Sequence, residues 1–308
     1  MAAIVGTGLN LAGARSEFFK IFDSASATAF FNEWCTHYAS NKDIERHRWI
    51  GSVPPLREWG TGRLARGLAS ESYDVDNLKY EATISCDRSE IADDQTGQIM
   101  LRIRELAQRA AEHKDAVLAT LLANGDQAGY LSYDGKIFFA ADHESGASGA
   151  QSNILTPAAV DADDPTAAEF KTGMKSALST LLALKDDFFE PINLTASGLV
   201  AVVPPSMYIT AVEALSATVL DATTNVLSGA AKVVPFARLT DASKWFLLKT
   251  DRVMRPFIFQ DREPIEFNSL ERDSESGFLR EVYLYGVRAR YRVTYGAWQH
   301  AVQLTFVE

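Results

Sequence analysis

Residues 98–124 read QIMLRIRELAQRAAEHKDAVLATLLAN, and this stretch decides the fold class. Ile99, Ile103, Leu106, Ala110, Val117 and Leu121 recur at the spacing of one helical face, with Arg102, Arg104, Arg109, Glu112 and Lys114 on the other sides. Asn124-Gly125 supplies the stop. At 1.5 Å rise per residue such a helix spans roughly 40 Å, long enough to carry an elongated domain. His113, on its polar side, is expected to be solvated.

Moving toward the C-terminus, Tyr130 to Phe139 reads as a hairpin turning at Asp134-Gly135, followed by a polar loop from Glu144 to about Asn153. A second helix is predicted from Pro165 to Phe188. Asp164 is its N-cap, and Phe170, Met174, Leu178, Leu181, Leu184 and Phe188 form its stripe. Leu199–Val203 reads as a buried strand, Ser206–Val219 as a third helix, and Ala231–Phe236 and Trp245–Leu248 as further strands. Glu281 to Val307 alternates throughout, as antiparallel strands do. Helices and strands come in blocks without a regular βαβ alternation, so the fold class is α+β.

Moving toward the N-terminus, Asp87, Glu90, Asp93 and Asp94, offset by Arg88, make an acidic patch of about −3. Arg46 to Ile50 and Tyr73 to Ile84 alternate with period two around Pro54-Pro55, Gly60, Gly62 and Gly67. Between Glu45 and Arg66, Arg46, Arg48, Arg57, Arg63 and Arg66 outnumber Glu45 and Glu58, for a charge of about +3. This reads as a long two-stranded arm, which needs a surface to lie on because an isolated hairpin is marginal in water. Before it, Phe18, Phe19, Phe22, Phe30 and Phe31 crowd a terminal segment that would fray unless something covered it.

With 308 residues, 47% of them hydrophobic and 23% charged, the chain has the composition of an ordered globular protein. No run of about 18 apolar residues suggests a membrane span, and the first residues lack the basic start and apolar stretch of a signal peptide. Cys35 and Cys86 are read as reduced thiols of a cytosolic fold. A net charge of −10 opposes a tight grip on nucleic-acid phosphates, so contact with DNA is expected to be loose. Catalytic signatures are weak. Asp142-His143 lacks a nucleophile in an elbow context. Asp161-Ala162-Asp163-Asp164 lacks the Gly and Glu of a calcium loop and reads as helix capping. Gly6-Thr7-Gly8 and Gly60-Thr61-Gly62 do not continue into phosphate loops. The five histidines, 37, 47, 113, 143 and 300, show no metal-ligand spacing. No cofactor, metal or catalytic residue is expected.

Leu56-Arg57-Glu58-Trp59-Gly60 with Arg63, Leu64 and Leu68, then Tyr80 to Arg88 and Ile91-Ala92-Asp93-Asp94, then Tyr133-Asp134-Gly135, Phe138-Phe139 and Asp142-His143, together resemble the Mu-like phage major head subunit family (gpT). The resemblance covers residues 56–143 in order; beyond 150 it is one of texture. It implies a major capsid protein with the Hong-Kong-97-type fold. The parts would be an N-terminal arm over 1–44, an E-loop hairpin over 45–88, a peripheral domain over 89–191 with the long helix as its spine, an axial domain over 192–262, and return strands of the peripheral domain over 263–308. It further implies pentamers and hexamers closing into an icosahedral head around double-stranded DNA, assembled in the host cytoplasm and carried in the virion. Expected partners are other copies of the chain, a separate scaffolding protein because the arm begins almost at Met1, a portal, a decoration protein and loosely held DNA, with no membrane.

Under this reading Arg46, Arg48, Arg57, Arg63 and Arg66 are the candidates for ion pairs with Asp87, Glu90, Asp93 and Asp94 of a neighbour. Phe18, Phe19, Phe22 and Trp59 would bury apolar area between copies. Two competitors stand beside it: an intracellular α/β enzyme with a dispersed site around Asp142 and His143, and another ring-forming phage component.

Overall fold

The computed structural model describes residues 11–47, 73–93, 97–144, 146, 148–220, 223–271 and 274–308. In chain order its elements are α1 (Leu11–Ala27), α2 (Phe31–Trp34), β1 (Cys35–Ala39), β2 (Ile44–His47), β3 (Tyr73–Asp76), β4 (Leu78–Asp87), α3 (Arg88–Asp93), α4 (Gln98–Asn124) and β5 (Ile154–Leu155). There follow α5 (Ala167–Ala183), β6 (Leu199–Val203), α6 (Tyr208–Ser216), β7 (Val219–Leu220), β8 (Thr223–Thr224) and β9 (Lys232–Pro235). The chain ends in β10 (Lys244–Lys249), β11 (Phe257–Leu270), α7 (Glu275–Leu279), β12 (Val282–Tyr295) and β13 (Ala301–Thr305). The mixture in blocks is the expected α+β arrangement.

The first sheet has the order β1-β11-β12-β4, with β1 parallel to β11 and the other pairs antiparallel. One of its faces packs on α4. Tyr285, Val287, Ala289, Tyr291, Val293 and Tyr295 of β12 are all buried, as period-two alternation requires. β2 and β3 form a separate antiparallel pair. They lean on the first sheet through His47 Nε2 to Gln260 Oε1 at 2.8 Å and Tyr73 Oη to Thr294 Oγ1 at 2.6 Å. The second sheet has the order β5-β13-β10-β6-β9 and lies against α5 and α6.

Two hydrophobic cores result. The larger joins the second sheet, α5, α6, the second half of α4 and the base of the first sheet, around Trp245, Phe170, Phe246 and Trp298. The smaller joins α1, the first half of α4 and the far ends of β4, β11 and β12, around Phe18, Ile103, Phe267 and Tyr285.

The long helix has the expected ends, and Gly125 after it is required because a Cβ there would lie 2.7 Å from the Phe139 ring. The second helix is shorter than expected. Thr166, not Asp164, is its N-cap. Its hydroxyl accepts from Glu169 N, and Glu169 in turn accepts from Thr166 N at 2.8 Å, a reciprocal cap that leaves Pro165 outside the helix. The third helix likewise contracts to α6, and the hairpin at 130–139 is a turn closed by the single bridge Leu131 to Ile137.

β11 was not expected as one strand. It runs across residue 262, where the axial segment was expected to end, with register shifts between Asp261 and Glu266 around Pro264. Two one-residue shifts interrupt the alternation between Asp261 and Glu266, and the inward parity of Phe257 and Phe259 returns at Phe267. The C-terminal strands divide between the two sheets. β12 joins the first sheet, but β13 pairs with β10 in the second. Ala301, Val302, Gln303 and Leu304 are all buried, as in a strand covered on both faces.

Candidate functional site

The residues expected to join copies are best judged by what they already touch. Phe18 is fully buried against its own chain, with its ring 5.0 Å from Phe267, stacked on Phe22 and edge-on to Phe19. Phe19 and Phe22 are half-buried on the same core. The cover that the sequence demanded for these aromatics is therefore α4 and β11 of the same chain, and Phe18 has no surface left for a neighbour. Arg104 adds an ion pair to Glu17 at 2.6 Å, tying α1 to α4 at the rim.

Arg46 makes a two-pronged pair with Asp74 across β2 and β3, Nε to Oδ1 at 2.7 Å and Nη2 to Oδ2 at 2.9 Å. Asp87 accepts from the N–H and hydroxyl of Ser89 at 2.7 and 2.5 Å, and these bonds hold its carboxyl below its ordinary range. Glu90 is exposed in the first turn of α3. Asp93 ends α3, and its side chain lies outside the described residues, as do Arg48, Arg57, Trp59, Arg63, Arg66 and Asp94 altogether. Arg46 and Asp87 thus have partners of their own chain.

Asp142 and His143 point apart. Asp142 is exposed and paired with Lys136 at 2.5 Å. His143 is fully buried, bonded through Nδ1 to Asp134 at 2.6 Å and through Nε2 to the Phe138 carbonyl at 3.1 Å, and stacked on Trp298 at 4.1 Å. Each ring nitrogen is engaged and both ring faces are in the core, so this histidine fastens the 134–143 turn to the larger core. Among the described residues no group of three or more His, Cys, Asp or Glu could hold a metal, and no helix is long and apolar enough to cross a membrane.

His113 corrects the sequence reading. It is half-buried, and its Nδ1 meets Tyr291 Oη at 2.5 Å with the Tyr80 ring 4.5 Å away. Burial, with the nearby Arg238 charge, lowers its affinity for a proton. Its neighbours on α4 were also missed. Asp115 accepts the N–H groups of Phe30 and Phe31 at 3.0 and 2.9 Å, holding the start of α2, and burial raises its carboxyl above the ordinary range. Lys114 lies 4.4 Å from the ring centres of Phe31 and Phe259 and 5.6 Å from that of Tyr291. Burial pushes its amine down, opposed by the charge of Asp261.

These three residues mark a waist between the two cores. A cavity of about 250 Å³ lies there between α4 and the first sheet, walled by Tyr80, Leu106, Val287, Ala289 and Tyr291, with Arg109 and Arg288 at its lip. A second, of about 200 Å³, adjoins it at Ala110, Ile265, Ala289 and Tyr291. The sequence signal for the waist was the change at 110–115 from large apolar residues to Ala, His, Lys and Asp on one helix.

The family model of the Mu-like prophage major head subunit gpT matches residues 11–167 and 238–305. The chain is 26% identical over 282 residues to the Mu-like prophage FluMu major head subunit of Haemophilus influenzae, covering 91% of this chain and 68% of that one. It spans about two thirds of the length of the curated relatives it matches. In fold it is similar to the subunit of the procapsid of bacteriophage JBD30, with a TM-score of 0.57, 24% identity and coverage of 96% of this chain and 74% of the other. It is also similar to the mature capsid subunit of bacteriophage PhiM1, with a TM-score of 0.61, 10% identity and coverage of 91% and 88%.

Proposed function

The chain belongs to the Mu-like prophage major head subunit family, and from that premise we propose that its copies gather as pentamers and hexamers and close into the icosahedral head of a tailed phage or prophage-derived particle. It is a major capsid protein of the virion with the Hong-Kong-97-type fold. The observation that carries the reading is the match of the family model to both halves of a fold whose two sheets interleave the N- and C-terminal segments.

The family's role is structural, which agrees with the buried, fully engaged His143 and the outward Asp142. Self-association follows from the multi-copy shells formed by its structural neighbours. We further assign residues 1–44 to an arm, 45–88 to the E-loop, 89–191 to the peripheral domain, and 192–262 to the axial domain. In support, β6, β9 and β10 share a sheet separate from β4, β11 and β12. The segment 263–308 is divided in this assignment, β12 serving the peripheral sheet and β13 the axial one. A scaffolding protein, a portal and a decoration protein are the partners such a head would use, with packaged DNA held loosely by a chain of net charge −10.

The test is to express the chain alone and with its scaffolding protein and to examine the products by negative-stain electron microscopy. Closed shells, or capsomers that form them, are expected. A stable monomer under both conditions refutes the proposal.

A further inference from the structure

Between α4 and the first sheet, the small side chains of Ala110 and Ala289 leave room for the waist cavity of about 250 Å³. Ala110, Ile265, Val287 and Ala289 supply its aliphatic wall, and the rings of Tyr80 and Tyr291, with centres 4.6 Å apart, its aromatic one. An apolar cavity of about 150 Å³ in another protein stays dry and takes up benzene, so a space of this size and lining holds an aromatic molecule of one or two rings. The adjoining cavity differs in kind, since Lys114, Asp261 and Glu263 stand in its wall.

The charges of the larger cavity decide what else the molecule must be. Arg109 is paired with Glu105 at 2.9 Å and Arg288 with Glu263 at 2.8 Å, so both cations at the lip are balanced within the chain. Glu81 is exposed and accepts only the Thr83 hydroxyl, at 3.1 Å, among the described residues. The lip therefore carries an excess carboxylate with an oxygen to spare, which repels an anion and accepts a neutral N–H or O–H donor. Inside, His113 Nδ1 and Tyr291 Oη satisfy each other at 2.5 Å. Burial lowers the proton affinity of the imidazole and raises that of the phenol, so both are uncharged near neutral pH. We propose that the waist cavity binds a small uncharged aromatic molecule with one hydrogen-bond donor, of the indole or phenol class, its ring against Tyr80 and Tyr291 and its donor turned to Glu81. Such a ligand touches α4, β4, β11 and β12 at once and ties together the elements that join the two cores. Binding needs a single copy, so it stands or falls apart from the head-subunit reading.

The experiment titrates indole into the unassembled full chain by isothermal titration calorimetry, with benzoate as the anionic control. One saturable site with a Kd below about 1 mM is expected, and benzoate should bind at least about tenfold more weakly. Hydrogen exchange should show indole protecting residues 80–82, 106–113 and 287–291. Ala110→Leu fills the cavity with a good helix former, and should melt no lower than the parent yet lose at least about tenfold in affinity for indole. Glu81→Gln, on the exposed lip, should narrow the preference for indole over benzoate, and an unchanged preference refutes the part given to Glu81. No saturable binding in the millimolar range, equal binding of benzoate, protection centred elsewhere, or undiminished binding by folded Ala110→Leu overturns the proposal. Should that variant fail to fold, the exchange map of the parent decides.

Discussion

Replacing Asp115 by alanine tests whether α4 holds the N-terminal segment in place. The carboxylate accepts the Phe30 and Phe31 N–H groups at 3.0 and 2.9 Å, the two donors that open α2 and lead into edge strand β1. Loss of a helix cap costs about 0.5–2 kcal/mol, and a hydrogen bond to a charged acceptor contributes about 1.5–3 kcal/mol. Burial raises this carboxyl above its ordinary range, so desolvation offsets part of that gain. The net cost of Asp115→Ala is therefore about 2–3 kcal/mol, or roughly 4–6 °C in melting temperature for a chain of this size. Asp115→Asn removes the buried charge but keeps an amide oxygen as acceptor, and should cost less than about 1 kcal/mol. Thermal melts of the unassembled protein give both numbers, and hydrogen exchange over residues 28–40 shows where protection is lost. Equal damage by Ala and Asn, or a cost below about 0.5 kcal/mol for Ala, would refute the account.

Phe18→Ala empties a fully buried position of the smaller core and should cost about 3–5 kcal/mol, read by denaturant unfolding, with α1 losing protease protection before the second sheet does. His143→Ala should destabilise by about 3 kcal/mol whereas the exposed Asp142→Ala stays within about 0.5 kcal/mol; equal effects would revive a joint role for the pair. Burial holds His300, bonded to Asn193, at a folded pKa of about 3 against an unfolded value near 6.5, so the unfolded chain binds the extra proton first as acid is added. Stability should fall progressively from pH 6.5 toward 3, by up to about 1.4 kcal/mol per unit from this residue, and His300→Gln should flatten that slope.

How far the sequence could be read follows from whether a pattern was local. α4 and β6 were legible to the residue because each keeps one periodicity from end to end, 3.6 for the helix and an unbroken apolar run for the strand. β11 was not, since the irregularity around Pro264 interrupts its alternation and the charges of Asp261, Arg262 and Glu263 look like a loop. The choice between Asp164 and Thr166 as cap turned on which oxygen reaches the Glu169 N–H, and the spacing from Thr166 to Glu169 was there to be read. Of the candidate site, the arm aromatics were rightly seen to need cover, but nothing local told that the cover was α4 and β11 of the same chain. His113 looked solvated because its partner Tyr291 lies 178 residues away. The waist cavity is a joint property of four elements, and its local trace is the change at 110–115 of α4.

The strand order β1-β11-β12-β4 has a consequence for how the protein is made. The two N-terminal strands of this sheet end at Ala39 and Asp87, and both lie against strands completed only at Leu270 and Tyr295. At roughly 5–20 residues per second, a ribosome leaves β1 waiting for its neighbour on the order of ten seconds or more. No nascent chain that stops short of Tyr295 can close the sheet. A subunit whose synthesis has not passed Tyr295 therefore carries β1 and β4 as unpaired edges, the strands most open to wrong pairing.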